Sequence, residues 1–200
     1  MRTQKLATIA AGVSFALLSL NSSIAMALDG ATLYQTKTCI ACHGVDAKTP
    51  LLPTYPKLAG QNKEYTVAQM AAVKSGARDN GQTAVMKGIM HIINDAEREA
   101  IAEWLASLPR DNVGNADAEG AKLYYDKQCS TCHGTDAKTP VLSSYPKLAG
   151  QNKDYALAQM KDIKNSTRNN GHSTVMKAFM DQLEVNEADM ETIAGWLAGN

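Results

Sequence analysis

The 200-residue chain is short of aromatic side chains, with two Phe, two Trp and seven Tyr. It has no net charge, since 20 Lys+Arg stand against 20 Asp+Glu. That balance gives no basic field for nucleic acid and no single-sign surface to steer a partner. Cysteine is scarce too: Cys39, Cys42, Cys129 and Cys132 are the whole set, confined to "TCIACHG" and "QCSTCHG". No alternating apolar–polar run is long enough to argue for strands, and past the N-terminus no apolar run is long enough to span a membrane.

The N-terminus is the exception. "MRTQKLATIAAGVSFALLSLNSSIAMA" begins with Arg2 and Lys5, continues mostly apolar from Leu6 to Leu20 and closes on Ala25-Met26-Ala27. A basic start, a short apolar stretch and a small-x-small ending make residues 1–27 a secretory signal peptide, with cleavage expected before Leu28. The apolar run is shorter than the roughly 20 residues of a membrane span. Cleavage would leave 18 Lys+Arg against 20 Asp+Glu.

The remainder is written twice. A shift of ninety places aligns 29–90 with 119–180 at 36 identities in 62 positions, and "AIAEWLASL" answers "TIAGWLAGN" after a two-residue slip. Two homologous domains are expected, 28–108 and 117–200, joined by the linker 109–116, "PRDNVGNA". Each reads as all-α. Asp29 and Asp117 can cap a first helix, with Gly30 and Tyr34, or Gly120 and Tyr124, one turn apart on one face. A middle helix is expected over about 62–76 from the spacing of Tyr65, Ala68, Gln69, Ala72 and Val73. A last helix starts at Asn94 with Glu97 as capping-box partner, repeated by Asn186 and Asp189, and carries Trp104 or Trp196. Domains of about 85 residues would have thin cores, so something besides side chains is expected to fill them.

Each cysteine pair runs straight into a histidine, His43 or His133. A thioredoxin-like disulfide would leave that histidine unexplained and lacks its βαβ context. Zinc pairs normally sit closer than the 86 residues between Cys42 and Cys129. Covalent haem c uses every member: two thiols for two vinyl groups and an imidazole for iron. Two such frames in register imply two haem groups, which would also complete the thin cores.

The sixth iron ligand must recur in both repeats, and methionine does so. Met86 and Met176 each lie 43 residues beyond their histidine, in a less regular segment after Asn80-Gly81 or Asn170-Gly171, and are the expected axial ligands. Met90/Met180 rank second, with packing on the haem edge as their other role. Met70/Met160 suit core filling within the middle helix. His91 faces Asp181 and His172 faces Gln82, so neither histidine repeats. A thioether favours ferrous iron, and six-coordinate iron has no open position for substrate, which points to electron transfer. Pro56 and Pro146 offer backbone carbonyls for the iron-bound histidine's other nitrogen. Arg78/Arg168 and Lys57/Lys147 either meet haem propionates or lie on solvated surface.

With "CHG…YPKLAGQ…YxxxQM" in order and repeated over 28–200, the chain resembles the class I cytochromes c, and within them the dihaem cytochrome c4 family. The resemblance implies two haem domains in approximate twofold symmetry, with propionate edges near the linker. It implies His43/Met86 and His133/Met176 as axial pairs, and attachment through Cys39, Cys42, Cys129 and Cys132. It further implies that Gly30 and Tyr34 pack on the Trp104 helix, as Gly120 and Tyr124 do on that of Trp196. Function would be periplasmic electron delivery among redox proteins such as a quinol-oxidising complex, a terminal oxidase or a dehydrogenase. Peripheral membrane association, and a place as the cytochrome subunit of an exported, for example sulfur-oxidising, dehydrogenase, stay open. A dihaem enzyme would need an open or labile haem; the chain has no fifth cysteine and is short for a peroxidase. The two residues inserted between Met180 and Asn186 depart from the first repeat and put the second distal loop in question.

Overall fold

The computed structural model describes residues 28–110 and 117–200. The expected leader, 1–27, and positions 111–116 of the expected linker lie outside the described residues. Among those described there are helices and no strands, five per repeat: α1 (Gly30–Thr36), α2 (Ile40–His43), α3 (Lys63–Ser75), α4 (Thr83–His91) and α5 (Asp95–Ser107), then α6 (Ala118–Asp126), α7 (Ser130–His133), α8 (Lys153–Lys164), α9 (Ser173–Gln182) and α10 (Glu187–Gly199). No described helix is long and apolar enough to cross a membrane.

Local chemistry sets these boundaries. The Asp29 carboxylate accepts from Ala31 N, and Asp117 accepts from Glu119 N and Gly120 N, satisfying donors that an α-helix leaves free at its start. Asn94 with Glu97, and Asn186 with Asp189, close reciprocal capping boxes on α5 and α10.

The first and last helices of each unit cross at glycine. A Cβ on Gly30 would overlap the Ala100 carbonyl and stand 2.6 Å from Trp104 Cβ; on Gly120 it would overlap Trp196 Cβ and stand 2.9 Å from Thr192 O. The missing side chain therefore permits the crossing. One turn on, the Tyr34 ring lies 4.8 Å from Trp104 and the Tyr124 ring 4.6 Å from Trp196. These fully buried tyrosines then reach out of the crossing. Tyr34 Oη donates to Gly44 O at 2.8 Å, and Tyr124 Oη to Gly134 O at 2.7 Å. The helix pair is thus tied to the loop that leaves each cysteine motif.

Two expectations need amendment. Met86 and Met176 lie in regular helix, in the first turns of α4 and α9, not in a less regular segment. "TAVMKGIM" is a poor helix former by propensity, but Met86, Ile89 and Met90 form an i, i+3, i+4 stripe whose packing overrides it. The two-residue insertion leaves the methionines undisturbed. It is absorbed by one more residue in α9 and a left-handed turn at Glu184 (φ 49°), after which Val185 takes the buried place of Ile93.

Candidate functional site

α2 and α7 are single turns, and that geometry makes the motif work. Residues three and four apart share one helix face. His43 N donates to Cys39 O and Gly44 N to Ile40 O, so Cys39, Cys42 and His43 share one side; the same bonds recur at Cys129, Cys132 and His133. Gly44 and Gly134 follow at φ 80°, where a Cβ would overlap the carbonyl oxygen of Thr49 or Thr139. That turn begins a loop which folds back on itself: Leu58 N and Ala59 N both donate to Ala47 O, and Gly60 N to Leu105 O.

The loop delivers Pro56 to the histidine. His43 Nδ1 donates to Pro56 O at 3.0 Å, and His133 Nδ1 to Pro146 O at 3.1 Å. A carbonyl only accepts, so the ring proton sits on Nδ1 and Nε2 keeps its lone pair. Burial holds both imidazoles below their ordinary pKa, partly offset by the proline carbonyl, so they are neutral at pH 7. A neutral imidazole with a fixed tautomer is the metal-binding form. Burial pushes the Cys39 and Cys129 thiols up to about 11. Such thiols are protonated near neutrality and make poor redox nucleophiles, which weighs against the disulfide-exchange reading.

Both motifs open on one cavity of about 630 Å³. Protein interiors rarely leave voids larger than a water molecule, so this space fits bulky cofactors. Thiol pairs and a neutral imidazole on its wall, in both units, are the donor set that covalent haem requires. Met70, Met86, Met90, Met160, Met176 and Met180 all line it. Met90 and Met180 are buried at 3% and 6% exposure among core side chains, whereas Met86 and Met176 are half-buried at the core margin. His91 is exposed at the end of α4.

The polar seam between the units was missed in the sequence. Lys57 N donates to Gln151 Oε1 (2.8 Å) and Gln151 Nε2 to Lys57 O (3.1 Å). Lys147 N donates to Gln61 Oε1 (2.9 Å) and Gln61 Nε2 to Lys147 O (3.0 Å). Asn62 Nδ2 donates to Tyr145 O, and Asn152 Nδ2 to Tyr55 O. Arg78 and Arg168 are buried, not on solvated surface. Arg78 donates to Gln69 in its own unit and to Tyr155 and Gln159 in the other; Arg168 donates to Gln159 in its own and to Tyr65 and Gln69 across. Arg110 bridges Ala59 O and Ala149 O; burial pushes it down to about 10 and leaves its Nη2 without a partner. The available signal was the identity of "YPKLAGQNK" and "AQM" in the two repeats, including polar residues that no helix core needs.

Two helical units, each with a thiol pair and a proline-oriented imidazole on a cofactor-sized cavity, define a pair of haem-binding cytochrome c domains. The cytochrome c family model matches residues 27–109 and again 118–200. Cytochrome c4 of Stutzerimonas stutzeri is 30% identical over 179 residues, covering 80% of this chain and 83% of that protein. The thiosulfate dehydrogenase electron acceptor of Stutzerimonas stutzeri strain A1501 is 32% identical over 186 residues, covering 83% of each. A solved cytochrome c4 from Acidithiobacillus ferrooxidans superposes with a TM-score of 0.71 at 28% identity, covering 83% of this chain and 99% of that one. The chain belongs to the cytochrome c family, as a member of its dihaem cytochrome c4 branch. It is an electron carrier that holds two covalently bound haem c groups and acts with redox partners.

Proposed function

We propose that the chain passes single electrons in the periplasm through two centres, one per repeat, with His43/Met86 and His133/Met176 as axial pairs. Cys39/Cys42 and Cys129/Cys132 carry the thioether attachments, and 28–108 and 117–200 are the two domains, following a cleaved 1–27 leader. When bound, each haem supplies a one-electron ferric–ferrous couple. The protein's part is to fix and enclose. Pro56 and Pro146 hold the proton on Nδ1, which keeps the imidazole's tautomer and angle constant through a redox cycle. The thioethers of Met86 and Met176 would give the iron a soft, neutral donor, which would exclude substrate and favour the reduced state.

The observation that carries this reading is the His–Pro carbonyl bond beside a thiol pair, repeated in both units on one cavity. Its test is a haem count with variant spectra. Two covalent haems per chain are expected, and Met86→Ala and Met176→Ala should each remove half of the weak sulfur-to-iron charge-transfer band of the ferric protein. Loss of that band in Met90→Ala instead, or rapid native carbon monoxide uptake, would overturn the ligand assignment.

A second reading is supported by the relative named as a thiosulfate dehydrogenase electron acceptor. The chain would then take electrons from an exported dehydrogenase rather than from a quinol-oxidising complex. Reduction of the purified protein by a periplasmic fraction only when thiosulfate is added would select that role. Reduction by the quinol-oxidising complex alone would reject it.

A further inference from the structure

The methionine helices lean on few neighbours. α4 packs chiefly on α3 and α9 on α8. Weak helix formers such as Thr83, Val85 and Gly88, or Ser173, Thr174 and Val175, add little support of their own. Yet lysine pins the far end of each helix from two sides. Lys74 Nζ, from α3, donates to Ile93 O at 2.5 Å, and Lys164 Nζ, from α8, to Met180 O at 3.1 Å. From the other side Lys37 Nζ donates to Ile92 O at 3.2 Å, and Lys127 Nζ to Leu183 O at 3.1 Å and Glu184 O at 3.3 Å. A cation there satisfies carbonyls that a helix leaves free at its end and faces the negative pole of its dipole.

Lys37 and Lys127 reach furthest. Each caps the end of its unit's first helix, α1 or α6, and stands two residues before the first cysteine, Cys39 or Cys129. Each ammonium also meets a carboxylate of the next capping box, Glu97 at 2.8 Å or Asp189 at 3.0 Å. These four side chains are 14–23% exposed, so their pairing is screened less than that of a surface pair. One lysine thus joins the cysteine motif, the start of the last helix and the end of the methionine helix. The second unit repeats the device on a different loop. Its two-residue insertion lengthens α9 and turns the chain at Glu184, and Lys127 still spends its three protons on Leu183 O, Glu184 O and Asp189.

We propose that Lys37 and Lys127 are positioning residues for the distal ligand, each strapping the methionine helix to the cysteine side of its site and so holding Met86 or Met176 closed over the iron. The cysteine side is fixed by covalent attachment. The methionine side depends on one coordinate bond and on how firmly its helix is seated. The strap rests on the Met86/Met176 assignment above.

The test is displacement of methionine by added imidazole in the ferric dihaem protein, followed as loss of the sulfur-to-iron charge-transfer band. Lys37→Leu and Lys127→Leu keep an apolar stem and remove the donors. In each, half of the band should give way at roughly tenfold lower imidazole, the scale of one charge-assisted bond, while the other half titrates as in the parent. Lys37→Arg and Lys127→Arg, which keep charge and donors, should restore the parent titration. Lys63→Leu and Lys153→Leu break ion pairs to Glu103 and Glu191 that do not involve the methionine helices, and should leave it unmoved. Where a leucine variant assembles fewer than two haems, Glu97→Gln or Asp189→Asn keeps the cap, loosens only the aim of the ammonium and should shift the titration the same way by a smaller factor. Unchanged titrations in these variants with two haems bound, or an equal shift in the Lys63 and Lys153 controls, would overturn the strap and leave the ligand assignment intact. A parent protein without the band would overturn that assignment, and the strap with it.

Discussion

Replacing Gln61 by alanine tests whether the seam joins the repeats into one cooperative body. Its side chain is 7% exposed and both ends of its amide are used: Oε1 accepts from Lys147 N and from Asn62 N, and Nε2 donates to Lys147 O. Truncation strands the Lys147 N–H and C=O at a site that water reaches poorly. A hydrogen bond is worth about 0.5–1.5 kcal/mol net, and a buried group left unpaired costs about 1–3 kcal/mol. The two groups stranded across the seam together put the loss of inter-unit coupling at about 2–6 kcal/mol. Gln151 makes the same bonds to Lys57 and Asn152, so Gln151→Ala is an independent repeat within the same molecule. The assay is urea unfolding of the dihaem protein followed by far-ultraviolet circular dichroism. A single transition in the parent should separate into two in either variant, because uncoupled units melt independently. If the variants retain one unshifted transition, or differ from each other by more than about 1 kcal/mol, then the seam does not couple the units symmetrically.

Two further outcomes follow from the same geometry. Gly30→Ala and Gly120→Ala drive a methyl into the α1–α5 and α6–α10 crossings and should each cost about 1–3 kcal/mol in thermal or urea unfolding, as overpacking does. Gly88→Ala, whose Cβ meets nothing within 4 Å, serves as the control that should not destabilise. The Lys48 and Thr49 amides and the Thr49 hydroxyl hold the Asp46 carboxyl below the ordinary range. The stability that Asp46 contributes is therefore fully present above the unfolded carboxyl value of about 4 and is lost as pH falls through its lower folded value. Asp46→Asn should remove that portion of the acid sensitivity in melts taken from pH 6 downward, and an unchanged acid limb would show the loop bonds to be inconsequential.

What could be read in advance was local. A cysteine pair with its histidine fits one helical turn and capping boxes need residues three apart, each fixed by a few neighbours in the chain, whereas the crossing of Gly30 and Tyr34 with the Trp104 helix is implied by the family resemblance alone. The helical state of Met86 was hidden because Thr83, Val85, Gly88 and Ile89 are individually weak helix formers, and only packing on the cavity decides the matter. Arg78 and Arg168 were undecidable between cofactor and solvent for a different reason: their partners Tyr155 and Tyr65 lie 77 and 103 positions away. No periodicity records a bond of that range. The insertion in the second repeat looked threatening in one dimension, yet it falls after Met180 and is spent in a turn.

Duplication gives the seam its character. When two copies of one surface meet about a twofold axis, any side chain reaching across is answered by its twin, so one residue type yields two bonds. An apolar seam could slide; the paired amide–backbone bonds of Gln61 and Gln151 fix a single register, because a slip would strand four backbone groups at once. A fixed register holds the two His–Pro pairs at constant separation, which suits centres that exchange electrons. The same logic makes departures from symmetry informative. Substitutions that keep the pairing leave the units alike, whereas an unreciprocated group such as Arg110, which reaches both Ala59 O and Ala149 O from one repeat alone, distinguishes them.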